Sequence, residues 1–102
     1  MDETVARCML LAKVLAADGE TTGTEHAFLE RAMNKLSLDE ADRERVRALE
    51  EWDLALSAIA SLDEATKRSI MDSVVHAVLA DGKVSPEEMA TIERINTGLG
   101  LT

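Results

Sequence analysis

The chain has 102 residues and carries 20 acidic against 11 basic side chains, a formal net charge of -9. That length suits one domain, and a surface so acidic argues against binding nucleic-acid backbones or anionic membranes. A single cysteine, Cys8, excludes an internal disulfide and any cysteine-based zinc site.

The first predicted helix covers about Glu3 to Ala17. Val5, Cys8, Met9, Ala12, Leu15 and Ala16 recur at the spacing of one helical face. Leu10, Leu11 and Val14 widen that stripe, so this helix is expected to run centrally through the core. The apolar run is too short for a membrane span, carries Lys13, and follows Asp2 and Glu3 rather than a basic leader, so no targeting segment is read here. Asp18-Gly19 is the predicted stop, because glycine reaches the left-handed capping conformation without steric cost.

Thr22-Gly23-Thr24-Glu25 reads as a capping box opening a second helix from about Gly23 to Leu36. Its inward face would be Phe28, Leu29, Ala32, Met33 and Leu36. A third helix starts near Asp39 to Ala41, with Val46 and Leu49 inward and a run of acids and arginines read as a solvated face. Trp52 to Ala60 forms a short fourth helix, with Leu54, Leu56 and Ile59 apolar and Trp52 anchoring the middle of the core. Ser61 and Glu64 have capping-box spacing for a fifth helix reaching about Ala80. Its apolar face is Ile70, Met71, Val74, Val75, Val78 and Leu79, and Asp81-Gly82 is the stop. Ser85-Pro86-Glu87-Glu88 opens the last helix, with serine as N-cap, proline at the first helical position and glutamate at the third. Met89, Ile92, Ile95 and Leu99 follow on one face, and Gly98 and Gly100 end it. No segment alternates apolar and polar residues long enough to form a strand.

A shift of 63 residues superimposes Leu15–Leu38 on Val78–Leu101 without a gap, giving nine identities in 24 positions. Ala17-Asp18-Gly19 matches Ala80-Asp81-Gly82, Glu25 matches Glu88, and Leu36-Ser37-Leu38 matches Leu99-Gly100-Leu101. The unit is a helix, an Asp-Gly turn, a capping box and a second helix, in copies at about 5–38 and 66–101. Two copies are too few for a solenoid. The predicted fold is therefore all-α: one domain over residues 1–102, a compact bundle of five to six helices with a pseudo-two-fold helix-turn-helix repeat.

Ala-Asp-Gly, a glutamate at the next helix start and a terminal Leu-x-Leu form a pattern that resembles the TerB-like (tellurite resistance protein TerB) family over nearly the whole chain. The second copy is close to the family's form. The first departs from it at Thr21, where an aliphatic residue is usual. The resemblance implies a bacterial, intracellular, all-α protein tied to tellurite resistance and wider stress or defence systems. It also implies acidic positions that are candidates for metal, and no established catalytic activity.

The candidate chemistry is a cation site made by Asp18, Glu25, Asp81 and Glu88. Oxygen ligands favour calcium, magnesium or manganese over zinc. The second copy lines up with the latter part of an EF-hand loop, but loop positions 1 and 3 fall on Ala77 and Leu79, and on Val14 and Ala16 in the first copy. These side chains supply no oxygen ligand, which excludes ordinary EF-hand calcium binding. The plainer reading makes Glu25 and Glu88 capping residues and Asp18 and Asp81 turn residues, with no cofactor at all. His26 and His76 lack paired metal-ligand spacing, and an Asp72–His76 surface ion pair is expected. Cys8, on an apolar stripe with no histidine near it in sequence, is expected to be an inert buried thiol. No phosphate loop or nucleophile elbow is present. The expectation is a non-enzymatic interaction or scaffold module in a reducing cytoplasm, with a protein partner at its acidic surface or in an apolar groove between helices. The alternative is a divalent-cation-binding protein.

Overall fold

Local chemistry sets most of the helix boundaries. The computed structural model describes residues 1–17, 23–80 and 84–101, without the side chains of Thr24, Glu25 and Ala80. Within them lie six helices and no strand: α1 Glu3–Leu15, α2 Gly23–Lys35, α3 Glu40–Ala48, α4 Trp52–Ala60, α5 Glu64–Ala80 and α6 Pro86–Gly98. Asp2 caps α1 by accepting from the Thr4 backbone N–H at 2.7 Å, and Asp39 caps α3 by accepting from Asp42 at 2.8 Å. Each satisfies a donor that the first turn leaves without an intrahelical partner. The α6 start is as predicted, a complete Ser85–Glu88 capping box with Pro86 in the first turn. The two Asp-Gly stops and Thr22 lie outside the described residues.

One predicted cap is corrected. Ser61 does not open α5; it closes α4, where its hydroxyl donates to the Ala58 carbonyl at 2.8 Å. Asp63 takes the N-terminal role instead. Its carboxylate accepts from the Thr66 backbone N–H at 3.4 Å and from the Thr66 hydroxyl.

Helix α1 organises the core. Nine of its thirteen residues are buried, including Val5, Met9, Leu10 and Val14, and it packs against each of the other five helices. Ala55 and Ile59 of α4 are fully buried; the α1–α4 contact is the most extensive in the molecule. Met33, Val46, Val78 and Leu99 bring one fully or almost fully buried side chain each from α2, α3, α5 and the end of α6. The radius of gyration, 12.5 Å, matches the roughly 13 Å expected of a domain this long.

Four residues expected to face inward are exposed: Leu36, Leu54, Leu79 and Met89. Each lies at the margin of a wide apolar stripe. A helix turns about 100° per residue, so burying Ala55 and Ile59 against α1 carries Leu54 out to solvent.

Helices α2 and α6 end in the same way. The Leu38 N–H donates to Met33 O at 3.1 Å and the Ser37 N–H to Asn34 O at 3.1 Å. At the same offsets in the second copy, Leu101 donates to Asn96 O at 2.9 Å and Gly100 to Thr97 O at 3.1 Å. Both are Schellman closures, with Ser37 at φ 57° and Gly100 at φ 74°. The surroundings of the two copies differ, since α1 is the hub while α5 packs principally on α1.

The charged face of α3 proves more than solvated. Arg45 forms a two-pronged pair with Glu51 at 2.8 and 3.1 Å. Arg47 reaches Glu30 of α2 at 2.8 Å, and Arg43 donates to the Leu38 carbonyl at 2.9 Å. These contacts tie α3 to the end of α2 and to the start of α4.

Candidate functional site

Of the four carboxylates read as a cation site, only the Glu88 side chain belongs to the described residues; Asp18, Asp81 and the Glu25 side chain lie outside them. Glu88 is 4% exposed. Its Oε1 accepts from the Ser85 N–H at 2.9 Å while its own N–H donates to Ser85 Oγ at 3.1 Å. The glutamate therefore folds back on its own helix start, where a negative charge complements the helix dipole. Among the described residues no three His, Cys, Asp or Glu side chains converge as metal ligands, and Glu88 has no ion pair.

The other reactive side chains are placed as follows. His26 and His76 are exposed, and His76 makes no ion pair with Asp72. Cys8 is buried, 2% exposed, and burial pushes its thiol up to about 11. A thiol is nucleophilic as the thiolate, so Cys8 is inert at neutral pH, as the sequence suggested. Trp52 is half-buried rather than fully interior, and the Lys13 ammonium lies 5.5 Å from its ring centroid.

A groove between α2 and α5 was not legible in the sequence. Its floor is Cys8 and Leu11 of α1; its walls are Ala32 and Leu36 on one side and Ile70 and Val74 on the other. The cavity measures about 350 Å³. Among the described residues Arg7 and Lys35 supply its only charges, with Arg7 already paired to Glu3 at 2.8 Å. Ser73 also lines a neighbouring, more polar depression, together with Phe28, Ser69, Asp72, His76 and Ala77. Leu36, 41% exposed, stands at the rim. Isolated exposed apolar residues are ordinary, but an apolar groove with a charged rim is a recurrent form of interaction surface. The signal in the sequence was only that Leu36 and Phe28 sit at the edges of the α2 stripe. Which edge stays uncovered depends on how α2 and α5 both lean on α1.

No helix among the described residues is long and apolar enough to cross a membrane. A family model described as tellurite resistance protein TerB matches residues 4–102, all but the first three positions of the chain. No curated protein and no solved structure matches it.

Proposed function

The chain belongs to the TerB family, and from that premise we propose that it is a non-enzymatic interaction module of a bacterial, cytoplasmic stress-response system of the tellurite-resistance type. The α2–α5 groove carries this reading. It is walled by apolar side chains of α2 and α5 and floored by the hub helix, and Arg7 and Lys35 mark its rim. An amphipathic helix from a partner protein, with leucine-sized anchors and flanking carboxylates, complements it in shape and charge. The inert thiol and the exposed histidines speak for binding rather than catalysis.

The test is site-specific cross-linking in a bacterial host that carries the native protein. A photo-reactive residue at position 36 is expected to trap a discrete partner, and one at the more exposed Leu54, on α4, to trap none. Lys35→Glu in the same background should abolish the adduct without changing the melting temperature. Equal adducts from both positions would overturn the groove as the docking face.

A second reading, a divalent-cation site at Asp18, Glu25, Asp81 and Glu88, draws support from one observation. Glu88 is almost fully buried without a cationic partner among the described residues, and buried carboxylates ordinarily acquire one. Thermal melts in millimolar calcium, magnesium or manganese test it, since a ligand of the native state raises the midpoint. An unchanged midpoint with all three removes the cation.

A further inference from the structure

The molecule holds a second cavity, on a different side of α1 from the groove. It lies where α1, α4 and α6 meet, three helices that pack pairwise on one another. Its volume is about 510 Å³, in the range of small-molecule sites. In a chain with 20 acids and 11 bases, no carboxylate lines this cavity among the described residues. Its only charged groups among those residues are Lys13 and Arg94.

Among the described residues those two cations have no carboxylate partner, whereas most others are engaged. Arg7, Arg45, Arg47 and Arg68 are all in ion pairs, Arg43 donates to the Leu38 carbonyl and Lys67 to the Leu99 carbonyl. Lys13 and Arg94 pair with no carboxylate among the described residues. Arg94 makes only two long contacts within its own helix, both at 3.4 Å, to Ala90 O and Thr91 Oγ1. Among the described residues most of its planar array of donors has no partner. Lys13 lies over the Trp52 ring, whose indole supplies a flat apolar wall continued by Leu56 and Ile95.

We propose that this cleft binds a small organic carboxylate, its anionic end held by Lys13 and Arg94 and its apolar body laid against Trp52. A guanidinium matches a carboxylate with two parallel hydrogen bonds, and the ammonium adds a point charge. The apolar walls favour a ligand with an apolar body over a bare inorganic anion, which would engage the cations but cover none of the apolar surface facing the cleft. Thr91 donates its hydroxyl proton to Glu87 O at 2.9 Å, so toward the cleft it offers acceptor lone pairs that suit an N–H or O–H on the ligand body.

Trp52 is the only tryptophan, so its fluorescence reports on the site directly. Titration with 3-phenylpropionate should give a saturable change with a Kd of about 1 mM or tighter. Backbone amide shifts should cluster at Trp52, Thr91 and Ile95. The neutral 3-phenylpropionamide and inorganic phosphate should each bind at least about tenfold more weakly. Arg94→Gln should weaken phenylpropionate by about tenfold, with Arg94→Lys intermediate because it keeps charge but loses the fork. Arg94 is exposed on α6, so both variants are expected to fold, and an unchanged melt confirms it. A peptide with a C-terminal phenylalanine, free or amidated, separates a chain-end ligand from a free acid: only a free terminus binding better than phenylpropionate assigns the site to chain ends. Equal binding of acid and amide, shifts outside the cleft, or phosphate binding as tightly as phenylpropionate would overturn the proposal.

Discussion

Ser37 and Gly100 occupy the same place in the two copies of the repeat, and exchanging their chemistry isolates one energy. Both close a Schellman motif with the same two hydrogen bonds, and both have positive φ, 57° at Ser37 and 74° at Gly100. The left-handed conformation costs an L-residue about 1–2 kcal/mol, and glycine nothing comparable. Glycine in turn gives up about 0.4–1 kcal/mol because its unfolded chain is freer. The Ser37 side chain is exposed, and a Cβ built on Gly100 meets nothing within 4 Å, so packing does not enter the balance. Ser37→Gly should therefore stabilise the fold by about 0.5–1 kcal/mol, and Gly100→Ser should cost the same amount. For a domain of this size that is roughly 2–8 °C in melting temperature, in opposite directions. The two sites share no hydrogen-bond partner, so the double variant should return to within about 0.5 kcal/mol of the parent. Thermal and urea unfolding followed by far-UV circular dichroism measures all four proteins. A Ser37→Gly variant that melts lower than the parent, or a Gly100→Ser variant that melts at the same temperature, would refute the assignment of these helix ends to backbone conformation.

Ser85→Ala removes the N-cap acceptor of α6 and should cost about 1 kcal/mol in urea unfolding. Ile59→Ala opens a cavity where α4 meets α1 and should cost about 2–5 kcal/mol, a large part of the 5–15 kcal/mol typical of a whole domain. The Arg47 guanidinium hydrogen-bonded to Glu30 holds that carboxyl below its ordinary range. The pair's contribution is thus present above the unfolded carboxyl pKa, about 4.3, and fades as pH falls through the lower folded value. Glu30→Gln should cost about 0.5 kcal/mol at neutral pH and lose its effect in acid, read from paired melts across the acid range. Cys8, its thiol pushed up to about 11 by burial, should resist a disulfide reagent at pH 8 until urea unfolds the chain. Modification of the native protein at the rate of a free thiol would contradict its burial.

What could be read from the residues alone divides along a physical line. The six helices were legible because caps are short-range: Asp39, and the Ser85-Pro86-x-Glu88 run, act on N–H groups within three residues. The Ser61 misassignment comes from that same range. Ser61 and Asp63 are both cap formers two residues apart, and only the position of the last α4 turn decides which of them faces forward. The centrality of α1 showed in its all-round apolarity. The exposure of Leu36, Leu54, Leu79 and Met89 did not show, because a broad stripe leaves its own edge undetermined until the neighbours are placed. The Arg47–Glu30 pair spans 17 positions and was read as solvated charge for the same reason. The candidate sites follow this division. Glu88 as a capping residue was legible, whereas the groove and the α1–α4–α6 cleft exist only where separate helices meet.

The burial of α1 bears on how the protein is made. The ribosome releases this helix before any of its five partners, with an apolar surface all round it. At about 5–20 residues per second, several seconds pass before α6 emerges to complete the enclosure. During that interval the nascent chain presents the kind of surface that general chaperones hold. Variants that slow synthesis after Leu15 should therefore raise dependence on those chaperones, even when the finished protein is as stable as before.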